Sequence, residues 1–181
     1  VSTDEVYGSL EEDEDPWTEE ATLAPRNPYS VAKASGDMMA RAFAVTYGLP
    51  VVVTRASNNI GPFQYPEKRV PLFITHAIDD RSLPVYGKGG AVRDHLYVTD
   101  HCEAVDLVLH SGEAGEAYNV GGENEADGQV VTEKILEVLE KPIELIEYVK
   151  DRPGHDMKYS LNSSKLMALG WAPKHNFENS L

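Results

Sequence analysis

Ser2-Thr3-Asp4-Glu5-Val6-Tyr7-Gly8 opens the chain, and Tyr29-Ser30-Val31-Ala32-Lys33 follows one loop later. The first stretch puts a hydroxyl and two adjacent carboxylates at what reads as a strand end. The second puts a tyrosine and a lysine four residues apart on what reads as the first turn of a helix. Side chains at i and i+4 share a helix face, so the ammonium is expected beside the phenol. A nearby cation favours the phenolate and would lower a pKa otherwise near ~10, making Tyr29 a candidate general base. Asp4 and Glu5 repel one another, which raises one pKa and suits a division into acid and base. Neighbours on a regular strand face opposite ways. For both carboxylates to reach one substrate, the strand must end or twist at Asp4-Glu5.

Outward from these clusters, Glu11 to Glu20 form an acidic stretch bounded by Gly8 and Pro25. It reads as a solvated loop without chemistry. A helix is expected from about Ser30 to Tyr47, with Ala34, Met38, Ala42 and Val45 on its core face, Gly48 as C-cap and Pro50 after it. Val51-Val52-Val53-Thr54 is a β-branched run without alternation, which suits a strand buried on both faces of a parallel sheet. A strand end, a long helix and a buried strand make half of a doubly wound unit, whose ligands bind beyond the carboxyl ends of the strands. Strands are expected at 83–86, 92–98, 117–122 and 143–149. Helices are expected over Thr99–Ser111 (with Asp100 and Glu103 at capping-box spacing), Val130–Glu140 and Ser163–Leu169, the last capped by Asn162. The fold class is α/β: a partial doubly wound, Rossmann-like parallel sheet over residues 1–60, with returns near 92–112, and a smaller α/β substrate domain over 61–181.

The chain has 181 residues, 41% of them hydrophobic, and a net charge of −14. That length supports a sizeable core, and the charge argues against nucleic-acid or anionic-membrane partners. No apolar run reaches membrane-spanning length and no signal-like start is present, so a cytoplasmic protein is expected. The single cysteine, Cys102, excludes an internal disulfide and reads as a small buried helix residue. The six histidines show no metal-ligand spacing, and no Gly-x-Ser-x-Gly elbow offers a hydrolase nucleophile. No G-x-G-x-x-G opens a helix after a strand.

Thr-Asp-Glu followed by Tyr-x-x-x-Lys resembles the extended short-chain dehydrogenase/reductases, most closely the dTDP-glucose 4,6-dehydratases. The resemblance runs the length of the chain through Asn58-Asn59, Pro66 to Leu72, Leu83 to Tyr86, Val92 to Val98 and Asp151-Arg152-Pro153-Gly154-His155. It implies NAD as cofactor, a nucleotide sugar as substrate and a homodimer. Tyr29, Lys33 and Asn59 would meet the cofactor. Asn58, Thr3, Lys68, Arg69, Pro84, Tyr86, Arg93, Asp151 and His155 would meet the sugar nucleotide, and arginine's planar fork suits the diphosphate. An ion pair between Arg93 and Asp94 is the structural alternative. Because the family's glycine-rich loop precedes its Thr-Asp-Glu strand, the chain is expected to be the C-terminal part of a larger enzyme, inactive alone.

The implied reaction removes water from a nucleotide-linked hexose with no net redox change. Tyr29, helped by Lys33 and Thr3, takes the C4 hydroxyl proton, Glu5 takes the C5 proton and Asp4 protonates the departing C6 hydroxyl. Where the family carries an asparagine after Gly-Gly-x-Asn-Glu, this chain reads Ala126-Asp127-Gly128-Gln129, which leaves the nucleobase open. Three alternatives stand beside this reading. One is a 4-epimerase or decarboxylase of the same superfamily, which has no use for the Asp4-Glu5 pair. The others are a non-catalytic nucleotide-sugar-binding module and a scaffold that dimerises through the Tyr29 helix.

Overall fold

The computed structural model describes residues 1–151 and 155–180. Three strands make a parallel layer in the order β1 (Ser2–Thr3), β2 (Val53–Ala56), β6 (Ala117–Val120). Between the first two runs α1 (Pro28–Tyr47), and α3 (Val98–Ser111) precedes β6. The layer therefore takes in residues 117–120, beyond both residue 60 and the expected return at 92–112. Ala56, Tyr118 and Val120 pack with Ala104 and Val108 of α3, and Leu166 and Trp171 complete this core.

A second sheet is built on β5 (Val92–Tyr97). It pairs in parallel with β3 (Asn58–Ile60) and β9 (Lys158–Tyr159), and antiparallel with β7 (Glu125–Asp127). A separate parallel pair joins β4 (Leu83–Tyr86) to β8 (Ile146–Val149). Helices α2 (Arg69–Ile78) and α4 (Gly128–Val138) pack against this pair through Phe73, Ala77, Val131, Ile135 and Leu136, with Leu83 and Val85 facing them. Two short helices, α5 (Ser164–Met167) and α6 (Phe177–Ser180), follow β9.

Several expected elements shift for local reasons. Helix α1 begins at Pro28 because Asn27 caps it in a reciprocal box with Ser30, and it ends where Gly48 adopts φ 65°. Its inward face is Ser30, Ala34 and Asp37, whereas Met38 and Val45, expected in the core, are 58% and 80% exposed. The buried strand lies at 53–56 rather than 51–54, because pairing to β6 starts only at Val53 and pairing to β1 only at Arg55. Asp100 does not cap α3. It is buried and accepts hydrogen bonds from the Lys174 and His175 backbone, so the helix starts at Val98 without a side-chain cap. Cys102 is exposed, since the buried stripe of α3 runs through positions 100, 104 and 108. Residues 143–145 form a 3-10 turn ahead of β8, and α4 starts at Gly128 because Asp127 caps it through the Val130 N–H at 2.7 Å. The last expected helix contracts to Ser164–Met167, with the Asn162 side-chain Oδ1 accepting from the Ser164 N–H.

The acidic loop is not merely solvated. Leu10 is buried and bridges to Lys158, Trp17 stacks on Tyr7 with ring centroids 5.9 Å apart, and Glu19 accepts from the Asn119 N–H at 2.7 Å.

Candidate active site

Strand β1 stops after Thr3 because the backbone winds directly into a 3-10 turn, Asp4–Tyr7, whose start the Thr3 hydroxyl caps by accepting from the Glu5 N–H. The strand thus ends at Asp4-Glu5 as expected, but the turn does not bring both carboxylates to one surface. Asp4 points inward and is 3% exposed, while Glu5 opens on a cleft of about 670 Å³. Asp4 accepts a hydrogen bond from the Thr3 hydroxyl at 3.0 Å through Oδ1, and its buried Oδ2 has no partner among the described residues. Burial, reinforced by the Glu5 charge, pushes the Asp4 pKa up to about 7 despite the Thr3 bond. At neutral pH Asp4 is thus a carboxyl that can hold a proton.

Tyr29 stands in the first turn of α1, 55% exposed, and lines the same cleft. Partial burial and the charges of Glu5 and Asp4 raise its pKa, against a lowering hydrogen bond with Thr3. This corrects the expectation that Lys33 lowers it. The Lys33 ammonium instead donates to the Val1 carbonyl at 2.8 Å, because the helix face that carries it lies along β1.

A second set of residues on the cleft carries the cations. Lys68 and Arg69 come from the start of α2 and Arg93 from β5. Lys68 is exposed and 3.8 Å from the Glu67 carboxylate. Arg93 is 8% exposed, lies 4.2 Å over the Tyr159 ring and donates to the carbonyls of Val92, Met157 and Asp156. Asp94, its sequence neighbour, accepts instead from the Gly122 and Asn124 N–H groups. His95 also lines the cleft. Burial, with Arg69 and Arg93 adding, lowers its pKa to about 4, so its imidazole is neutral.

Asn58, Asn59, Pro84, Tyr86 and His155 line the cleft as well. The Asn59 side chain is largely committed within the protein, its oxygen to the His101 Nδ1 at 2.9 Å and its NH₂ to the Ser57 carbonyl at 3.1 Å. Asp151 is not on the lining but holds His155 Nδ1 at 2.8 Å. Thr3, Asp4 and Lys33 are not among the residues that line the cleft. Arg152, Pro153 and Gly154 lie outside the described residues. Sequence reasoning did not single out Asn27, Gln64, Glu67, His95, Gly128, Asp156 or Tyr159, all of which line the cleft. Asn27 carried a signal, since a capping residue directly before Pro28-Tyr29 must lie beside the tyrosine. For Tyr159, whose hydroxyl is hydrogen-bonded to Asp156, nothing local did. Among the described residues, no group of three or more His, Cys, Asp or Glu could hold a metal ion, and no helix is long and apolar enough to cross a membrane.

A parallel α/β layer whose first strand leads into Thr-Asp-Glu, beside a Tyr-x-x-x-Lys helix and at a cation-lined cleft, defines the extended short-chain dehydrogenase/reductase class. Within it, the chain belongs to the GDP-mannose 4,6 dehydratase family, whose model matches residues 1–181. It is 47% identical over its full length to the low-salt glycan biosynthesis protein Agl12 of Haloferax volcanii and covers 58% of that protein. It is 49% identical to a dTDP-glucose 4,6-dehydratase of Xanthomonas campestris, again with all of this chain matched, to 54% of the relative. The fold superposes on the crystal structure of the Bacillus anthracis dTDP-glucose 4,6-dehydratase in complex with NAD with a TM-score of 0.95, at 53% identity, over 99% of this chain and 57% of the other. The chain spans a little over half the length of the curated relatives it matches.

Proposed function

We propose that the protein carrying this chain is an NAD-dependent lyase that converts a nucleoside-diphosphate glucose, dTDP-glucose foremost, to its 4-keto-6-deoxy sugar. The observation that carries this reading is the arrangement at the end of β1. Glu5 and the Tyr29 phenol open on one cleft, with the proton-holding Asp4 buried directly behind them. Tyr29, Lys33 and Asn59 would hold NAD, which when bound would supply a positive charge and an acceptor for the C4 hydride, later given back to C6 as a proton returns to C5. Tyr29 receives the C4 hydroxyl proton, with Thr3 hydrogen-bonded to the phenol. Ketone formation at C4 acidifies the C5 proton, which Glu5 removes, while Asp4 protonates the C6 hydroxyl as water leaves. Asn58, Lys68, Arg69, Pro84, Tyr86, Arg93 and His155, with Asp151 behind it, bind the sugar nucleotide. Residues 1–60 serve the cofactor and most of 61–181 the substrate.

The test uses the longest reading frame that contains these residues. Glu5→Gln and Asp4→Asn should still form NADH from nucleotide sugar but release 4-keto-6-deoxy product at least ~10³-fold more slowly. A C4 epimer as product, or unimpaired water loss in both variants, would replace this reading with the epimerase one. The isolated 181 residues, which contain no glycine-rich dinucleotide loop, should not turn over. The exposed apolar side of α1, with Met39, Phe43 and Tyr47, is assigned to a second copy of the protein, in the cytoplasm.

A further inference from the structure

Asn27 has so far figured only as a helix cap on the cleft lining, yet its side chain touches both halves of the acid–base wall. Its Oδ1 accepts from the Ser30 N–H at 2.9 Å and so caps α1, the helix that presents Tyr29. Its Nδ2 donates to Glu5 Oε2, also at 2.9 Å. The backbone secures the residue from the other side, since the Asn27 N–H donates to Ser30 Oγ at 3.1 Å and its carbonyl accepts from the Val31 N–H at 3.0 Å. The cap fixes which way the amide faces. Rotating it by 180° would set NH₂ against the Ser30 N–H and oxygen against the Glu5 carboxylate, losing both bonds.

Asn is the one good capping residue that meets both demands. Ser and Thr cap through a single oxygen, and Asp caps with an acceptor alone. Only Asn offers an acceptor to the helix and a separate N–H to a carboxylate 22 residues earlier in the chain. Glu5 sits in a 3-10 turn and Tyr29 on a helix, and the loop between them is long. Without a tie, the carboxylate would sample several rotamers relative to the phenol.

We propose that Asn27 is a positioning residue for the elimination step: it locks the Glu5 carboxylate to the helix that carries Tyr29, so that base and phenol meet the sugar in one fixed register. This rests on the assignment of Glu5 as the C5 base. The donated N–H also keeps the facing oxygen, Oε2, as an acceptor and leaves Oε1 as the atom that takes the proton. An error of about 1 Å in such a placement costs on the order of 10²-fold in rate.

The experiment compares Asn27→Ser, Asn27→Asp and Glu5→Gln in the longest reading frame containing the chain, loaded with NAD and given dTDP-glucose. Four quantities are read: NADH formation, deuterium uptake at C5 from heavy water, water loss, and melting temperature. Ser and Asp both retain the cap, so melting should fall by less than about 3 °C. Asn27→Ser should slow C5 exchange and water loss by about 10–100-fold while NADH forms at a rate within threefold of the parent. Asn27→Asp places a second carboxylate against Glu5 and should be slower still at neutral pH, recovering in part as the pH is lowered. A parent-like elimination rate in both Asn27 variants, with Glu5→Gln inactive in that step, would overturn the proposal while leaving Glu5 as base. Should Glu5→Gln itself eliminate normally, the functional assignment falls first and the proposal with it. A merely structural role would lower melting and all three rates together, which also overturns it.

Discussion

The two walls of the cleft are built in opposite ways. The acid–base wall is made by two short segments near the start of the chain: a strand end with the 3-10 turn that follows it, and the cap of one helix 22 residues on, tied together by Asn27. The cation wall assembles Lys68, Arg69, Arg93 and His155 from three separate places in the sequence, held by packing of α2, β5 and the segment before β9. Local hydrogen bonds set where a proton goes, whereas long-range packing sets where a charged ligand rests. Damage should therefore divide between chemistry and binding according to the wall struck.

The largest effect is expected where the acid–base wall is anchored. Behind it, Arg55 donates through Nε to Asp37 of α1 at 2.9 Å and through NH1 to the Tyr7 hydroxyl at 2.7 Å, and that hydroxyl donates on to Asn119 Oδ1 at 2.7 Å. Every member is nine-tenths or more buried. Asp37→Ala strands the guanidinium and should cost about 3–5 kcal/mol in a urea titration. Replacing Arg55 and Asp37 together with Met and Leu should recover much of that loss, because two charges no longer need partners. If the single change costs under ~1 kcal/mol, the 3-10 turn is held by something other than this network.

This anchor also marks where the sequence stopped being readable. Thr3, Glu5 and Tyr29 were legible because their geometry follows from residues next to them. The inward face of α1 was not. Periodicity located an apolar stripe through Met38 and Val45, but a helix with a polar stripe at 30 and 37 can bury either side, and the partner Arg55 lies on another strand. Asp100 failed for the same reason. Capping-box spacing is a local signal, and it lost to the Lys174 and His175 N–H groups, more than seventy residues away. The parallel α/β class was readable from β-branched runs and helix stops, but the joining of Ala117–Val120 to β2 rests on pairing that no window of sequence contains.

A second, smaller effect sets the walls against each other through pH. The folded pKa of Asp4, about 7, lies above its ordinary 3.8. Between those values the folded state holds a proton that the unfolded chain has lost. That contribution to stability is present in acid and is lost as the pH rises through 7. For His95 the folded pKa is about 4, below the ordinary 6.5, so the unfolded chain binds the proton first and stability is lost as the pH falls below 6.5. Between about pH 4 and 6.5 the two slopes oppose. Asp4→Asn should uncover a stability that rises with pH by roughly 3 kcal/mol over that window, and His95→Gln one that falls by a similar amount. Urea midpoints of parent and variants at pH 4.5 and 6.5 check both signs. Variants that shift in the same direction would break the assignment of opposite proton preferences to Asp4 and His95.

The smallest effect belongs to the cation wall alone. Gly128 opens α4 at the cleft, and a Cβ there would lie 2.9 Å from both the Arg69 NH1 and the Gly89 carbonyl oxygen. The arginine tip can swing away, but the backbone oxygen cannot, so Gly128→Ala must displace Arg69 from its place and press on the turn at Gly89. Overpacking of this kind costs about 1–3 kcal/mol, while alanine regains up to about 1 kcal/mol of helix propensity, so melting should change little. The cost should surface in binding, as roughly tenfold weaker affinity for dTDP by calorimetry, with deuterium exchange at C5 of saturating sugar nucleotide unchanged. Loss of exchange with intact affinity would mean that the two walls are not separable, since a change at the wall that rests the ligand would then have altered the wall that moves the proton.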